Sequence, residues 1–318
     1  MIKKECFTAE WIEQVSSELH YNDKNLIEKV IRALSLLEML VKAGCPLVFK
    51  GGTALMLILG KSAHRLSIDI DLICPPGTNI EDYLKSFADF GFINLELVER
   101  KQRDDADIPK SHSKFFYQIA YRNDTDAQSY ILLDVLYEDI HYFRTQQIAI
   151  NCPFIRLEGK PLMVTVPSAE DILGDKLTAF APNTTGIPYY RNGRSCSMEI
   201  AKQLYDVGRL FENVSDLQIT KEAFRKIAVV ELSYRSFGTD IGQVFNDIRQ
   251  TALCISTRGK AGEGDFDLIQ DGIIRVKSFM YKQRYLIDHA IIDAARAAYL
   301  ATLIEKGINE IESYSLPI

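Results

Sequence analysis

The sequence predicts an α+β protein with a mixed β-sheet domain first and a helical domain after it. Three observations carry this. Residues 8–43 repeat apolar side chains at three and four, the region from Leu47 to Val166 breaks into short β-rich runs, and after Pro167 helical periodicity returns and persists. At the start, Leu26, Ile27, Val30, Ile31, Leu34 and Leu37 mark an amphipathic helix. Thr8 and Asn22 are expected to cap the two opening helices.

The β-rich runs are Leu47–Phe49, Ile68–Cys74, Ile93–Val98, Phe115–Tyr121, Tyr130–Tyr137 and Met163–Val166, with a helix-like stretch Ile80–Phe90 among them. Residues 100–114 are polar, carry a proline and read as an exposed hairpin loop. Ser168 and Asp171 form a capping-box-like start to a helix reaching Ala179. Further helices are expected at 198–211, about 221–256, 266–282 and 288–305, the last closed by Gly307. The expected domains are therefore 1–167 and 168–318.

Composition narrows the function classes. Across 318 residues, 37 Lys+Arg against 43 Asp+Glu give a net charge of −6, so the chain does not coat nucleic acid or an anionic membrane by charge alone. Cysteines at 6, 45, 74, 152, 196 and 254 have no zinc-site or Cys-x-x-Cys spacing and read as reduced thiols. The N-terminus has no signal-peptide core, and apolar runs such as Leu55–Leu59 fall far short of the roughly 20 residues of a membrane helix, which points to a cytoplasmic protein. No His-x-x-x-His, Gly-x-Ser-x-Gly or P-loop pattern occurs, so zinc hydrolysis, serine hydrolysis and P-loop ATP use are unsupported.

The stretch from Leu47 to Cys74 is the informative one. A β-like run passes through Lys50-Gly51-Gly52-Thr53 straight into an apolar helix, setting free N–H groups where phosphate oxygens can be received. Standing alone, such a Gly-Gly is as well read as a turn needing permissive φ. Asp69 and Asp71 follow, two apart within alternating Ile68, Ile70 and Leu72, so a strand projects both carboxylates from one face. Like charges so placed suit Mg²⁺, which binds few carboxylates and keeps positions for water and phosphate; the bland alternative is the solvated face of an edge strand. Asp134, alone in the β-like Tyr130–Tyr137, is either a third metal-site acid or a buried carboxylate with a basic partner.

Gly51-Gly52-Thr53-Ala54-Leu55 followed by Arg65-Leu66-Ser67-Ile68-Asp69-Ile70-Asp71-Leu72 resembles the AbiEii/AbiGii toxin family, a nucleotidyltransferase branch of the DNA polymerase β-like superfamily. Asp175–Phe180, Thr185-Gly186-Ile187-Pro188, Arg194 and Lys202–Asp206 are also similar to that family, so the likeness spans about residues 45 to 213. The resemblance implies a nucleotidyltransferase domain followed by a helical domain that completes the active-site cleft. It implies that Gly51, Gly52 and Thr53 hold a nucleoside triphosphate, with Arg65 and Ser67 supporting the loop. Asp69, Asp71 and Asp134 would bind Mg²⁺ in a two-metal site, Lys176 would contact phosphates, and Asp206 would orient Lys176 or the substrate. Where the superfamily uses Gly-Ser this chain has Gly-Gly-Thr, which moves the hydroxyl by one residue.

Between Lys176 and Arg209 five basic residues stand against two acidic ones. Arg191, Arg194 and Lys202 are the expected acceptor contacts, although at least one of Arg209 and Lys202 is expected to be an ordinary solvated helix charge. The resemblance thus implies a toxin that moves a nucleoside monophosphate to an acceptor such as tRNA and is opposed by a cognate antitoxin. A protein or small-molecule acceptor, or a non-catalytic nucleotide- or antitoxin-binding module, are the rival readings. A cleft lysine such as Lys176 is expected to add little to stability.

Overall fold

The computed structural model describes residues 1–98, 110–121, 127–234 and 240–311. They form two units. The first comprises Met1–Ile140, Thr145–Pro167 and Ser278–Arg284, and the second His141–Arg144, Ser168–Lys277 and Tyr285 onward.

In the first unit, α1 (Ala9–Leu19) is capped by Thr8, whose hydroxyl accepts from the Trp11 N–H at 3.3 Å. The cap of α2 (Lys24–Lys42) is Asp23 and not the expected Asn22, because the Asp23 carboxylate accepts from Leu26 N–H at 3.0 Å. From Leu26 to Leu40 α2 is almost wholly buried, charged residues included. Glu28 and Arg32 survive burial as an ion pair at 3.2 Å, with Arg32 also donating to the Gly91 carbonyl and Glu28 accepting from Ala120 N–H. The added backbone partners offset part of the cost of burying such a pair, although Arg32 Nε is left without one.

The central sheet holds β1 (Val48–Lys50), β2 (Ile70–Cys74), β3 (Asn94–Val98), β4 (Lys110–Gln118) and β5 (Gln128–Tyr137), in the order β1-β2-β5-β4-β3. Only β2 and β5 run parallel, so the sheet is mixed as expected. Alternation sets its two faces. Ile70, Leu72, Phe115, Tyr117, Ile131, Leu133 and Val135 are buried in one core with Ile27, Ile31 and Leu34 of α2. A separate ribbon pairs β6 (Thr145–Ala149) with β7 (Met163–Pro167). Strand β6, Thr-Gln-Gln-Ile-Ala, carries too little apolar signal to be read from sequence.

Two expectations need correction here. Ile80–Phe90 is not one helix but two short 3₁₀ turns, Ile80–Tyr83 and Phe87–Phe90, neither with a side-chain cap, and Gly91 at φ +81° ends the second. Of the stretch read as a loop, Lys110 to Lys114 belong to β4, and 100–109 lie outside the described residues.

The second unit is mainly helical. Ser168 caps α4 (Ala169–Ala179), accepting from Asp171 N–H at 3.1 Å, and the Asp171 carboxylate in turn accepts from the N–H groups of Phe143 and Arg144. A two-residue ribbon joins β8 (Tyr190–Arg191) to β9 (Arg194–Ser195). Then follow α5 (Ser197–Phe211), α6 (Leu217–Ser233), α7 (Ile241–Ser256), α8 (Phe266–Val276) and α9 (Ile287–Lys306), which Gly307 ends in the left-handed conformation. The stretch 221–256 is thus divided between two helices. The helix expected over 266–282 stops at Val276, since Ser278–Arg284 belongs to the first unit, where Leu66 N–H donates to the Phe279 carbonyl and Tyr281 N–H to that of His64.

Candidate active site

Helix α3 (Gly51–Leu59) begins directly after β1, and no side chain caps it. The start of a helix is where backbone N–H groups can receive phosphate oxygens. Gly51 has φ +77°, which L side chains rarely adopt, and a Cβ there would lie 2.0 Å from the Asp71 carboxylate. Gly51 therefore lets backbone and carboxylate meet at a distance no other residue allows. A Cβ on Gly52 would lie 2.6 Å from the Ser67 hydroxyl and 3.0 Å from the Arg65 guanidinium. Arg65 and Ser67 thus lie directly against the turn, and Arg65, buried, also donates to the Leu66 carbonyl at 3.0 Å.

The Thr53 hydroxyl has a partner within the protein. Thr53 is fully buried, and its hydroxyl donates to the Asp69 backbone carbonyl at 2.7 Å. The residue ties α3 to the chain entering β2.

Register brings two acids side by side: Asp71 is opposite Lys50 on β1 and opposite Asp134 on β5, adjacent strands about 4.8 Å apart. Asp69 sits one residue before β2 and is half-buried like Asp71. Asp134 does not complete a ligand set with these two. Among the described residues no group of three or more His, Cys, Asp or Glu is arranged to hold a metal ion. The Asp134 carboxylate is instead hydrogen-bonded to His112 Nδ1, its register partner on β4. His112 escaped the sequence reading because it lies in the stretch taken as a loop. The alternation of Ser113, Phe115 and Tyr117 with His112, Lys114 and Phe116 was the available signal.

Lys29 of α2 is a second residue the sequence did not single out. Burial lowers its pKa, against the opposing fields of Asp69 and Asp23, so this half-buried cation lies within electrostatic reach of Asp69.

The second unit holds the remaining expected residues. Lys176 of α4 and Asp206 of α5 are both buried and paired at 3.1 Å, and Lys176 also donates to Gln203 Oε1 at 2.9 Å. The expectation that Lys176 adds little to stability is overturned, since removing either partner strands a buried charge. Arg191 and Arg194 face each other across the ribbon, exposed, joined by Asn192 and Gly193 at φ +52° and +73°. Two like charges in register are unfavourable without an anion. Lys202 is half-buried on α5, whereas Arg209 is committed to Glu212 and Asp293.

No helix among the described residues is long and apolar enough to cross a membrane. No curated protein matches the chain. Among solved structures it is similar to JHP933 from Helicobacter pylori, at 15% identity and TM-score 0.44 over 97% of this chain and 95% of that one. It is also similar to MenT4, a nucleotidyltransferase toxin from Mycobacterium tuberculosis, at 14% identity and TM-score 0.46 over 92% and 89% of the two chains. The family described as Nucleotidyl transferase AbiEii toxin, Type IV TA system, matches residues 34–289. With that span of its 318 residues matched, the chain belongs to the AbiEii nucleotidyltransferase toxins of type IV toxin–antitoxin systems.

Proposed function

We propose that this nucleotidyltransferase uses Mg²⁺ to move a nucleoside monophosphate from a nucleoside triphosphate to a hydroxyl of a nucleic-acid acceptor such as tRNA. The observation that carries the reading is the fit of Gly51 against Asp71: a phosphate-receiving helix start and a carboxylate meet where a single Cβ would separate them. Asp69 and Asp71 offer hard oxygen donors beside that turn, the number of carboxylates Mg²⁺ takes when phosphate and water fill its other positions. When bound, the ion neutralises charge on the triphosphate and its leaving pyrophosphate.

The chain's own groups do the rest. N–H groups of the Gly51–Gly52 turn receive phosphate oxygens, and Arg65 and Ser67 hold the turn in shape. Asp134, oriented by His112, accepts the hydrogen bond of the acceptor hydroxyl and sets it for attack on the α-phosphorus. Lys176, kept in place by Asp206 and Gln203, supplies positive charge to the phosphates. Arg191, Arg194 and Lys202 contact acceptor phosphates. Family membership supports a cognate antitoxin as a further partner.

Incubation of the purified protein with Mg²⁺ and each α-labelled nucleoside triphosphate, with and without total tRNA, tests the proposal. Label on tRNA is expected, with pyrophosphate released. Label on protein instead would support the same chemistry with another acceptor, and no transfer of any label would overturn the catalytic reading.

A further inference from the structure

On the sheet face that carries Asp71 and Asp134, Tyr130 and Phe116 lie opposite each other on β5 and β4, with ring centroids 5.7 Å apart. Tyr130 is 40% exposed although its neighbour Ile131 is 1% exposed in the core. Two ammonium groups approach its ring, Lys29 Nζ from α2 and Lys114 Nζ from β4, each 5.5 Å from the centroid. Lys114 is also 3.5 Å from Glu96 on β3, a partly exposed ion pair that salt and solvent weaken. An exposed aromatic ring with two cations beside it presents a stacking face and positive charge together, which matches a ligand made of flat bases joined by phosphates.

The place of this cluster in the sheet says which part of the substrate it suits. The glycine turn lies on the β1 flank of β2, while Tyr130, Phe116 and Lys114 lie on the β5 and β4 flank. Asp134, the group assigned to the acceptor hydroxyl, is on that second flank, four residues along β5 from Tyr130. Four residues of strand span about 13 Å, the rise of about four stacked nucleotides at about 3.4 Å each. A chain whose terminal hydroxyl meets Asp134 can reach Tyr130 with its preceding nucleotides.

We infer that Tyr130 and Phe116, with Lys29 and Lys114, form a stacking platform for the 3′-terminal nucleotides of a single-stranded nucleic-acid acceptor. The inference rests on the transfer reaction proposed above and assigns its acceptor a single-stranded end held by stacking and phosphate contact.

The test uses the full chain and a fluorescein-labelled single-stranded RNA of about twelve nucleotides with a free 3′-hydroxyl. RNA affinity is read by anisotropy across a salt series, and the affinity for fluorescent nucleoside triphosphates is measured beside it. Tyr130→Ala is expected to weaken RNA binding about tenfold, the loss of one stacked base, while Tyr130→Phe keeps it. Lys114→Ala should weaken it and flatten the slope of log affinity against log salt by about one unit. Triphosphate affinity should hold in every variant. Thermal melting confirms that each variant folds, and Lys114→Ala carries the test should Tyr130→Ala not fold. The platform is overturned if these variants bind RNA as the wild type does, if Tyr130→Phe loses as much as Tyr130→Ala, or if triphosphate affinity falls in step, which would seat the nucleotide base there. Wild-type protein that binds no triphosphate and transfers no label would overturn the transfer reading instead, and the RNA affinities would still decide the platform.

Discussion

Asp71 and Asp206 are acids of the same type in opposite settings. Asp71 is half-buried, pressed against the backbone of Gly51 on a sheet that also carries Asp134 in register. Asp206 is 1% exposed and bound to a buried lysine at 3.1 Å. The first setting gathers acids beside a glycine turn at a helix start, which is where the proposed triphosphate site lies. The second balances charge within a helical pair, so its charge is part of the fold. Substitutions in the two places should therefore fail differently.

The largest effect is expected at Lys176. Lys176→Ala should lower stability by about 3–5 kcal/mol, because Asp206 is left buried without its cation, and should also lower turnover. Chemical denaturation gives the first and label transfer the second. A paired Lys176→Met, Asp206→Leu variant sharpens the contrast: apolar side chains in both places should recover most of the stability and none of the turnover. Recovery of both would make the pair purely structural.

Gly51→Ala comes next. The side chain enters the space of the Asp71 carboxylate and holds an unfavourable φ, so turnover should drop by a factor of about 10² or more with about 1–3 kcal/mol of stability lost. An active Gly51→Ala protein would break the link between turn and carboxylate.

Thr53→Val, which keeps the shape but removes the hydroxyl, should cost about 1–3 kcal/mol because the Asp69 carbonyl loses a buried donor. Its triphosphate affinity should change little. A large fall in that affinity at unchanged stability would return Thr53 to the phosphates.

Smallest is the Arg191→Ala, Arg194→Ala variant of the exposed ribbon. Stability should hold or rise slightly as like charges are removed, and the salt slope of acceptor binding should flatten by about two units, one per phosphate contact. An unchanged slope would remove the ribbon from the acceptor surface.

The features read from the sequence are those written locally. Alternation marks β5, adjacent glycines mark the start of α3, and the two-residue spacing of Asp69 and Asp71 marks the entry into β2. What escaped depends on partners distant in the chain. His112 matters because register sets it opposite Asp134, 22 residues away, and Lys29 because α2 brings it near Asp69. The burial of Lys176 depends on α5, 27 residues beyond. Residues 278–282 follow a helical pattern closely enough to be read as a continuation of α8, yet they join the first unit through backbone bonds to His64 and Leu66 that no local pattern announces.

The most direct test of the account is label transfer from an α-labelled nucleoside triphosphate to total tRNA in Mg²⁺, by wild-type protein and by Asp71→Asn at equal concentration, with a thermal melt of each. The account predicts labelled tRNA from the wild type, a loss of about 10² or more in Asp71→Asn, and little change in melting temperature. An Asp71→Asn protein that melts as the wild type does and transfers label at the same rate would contradict it.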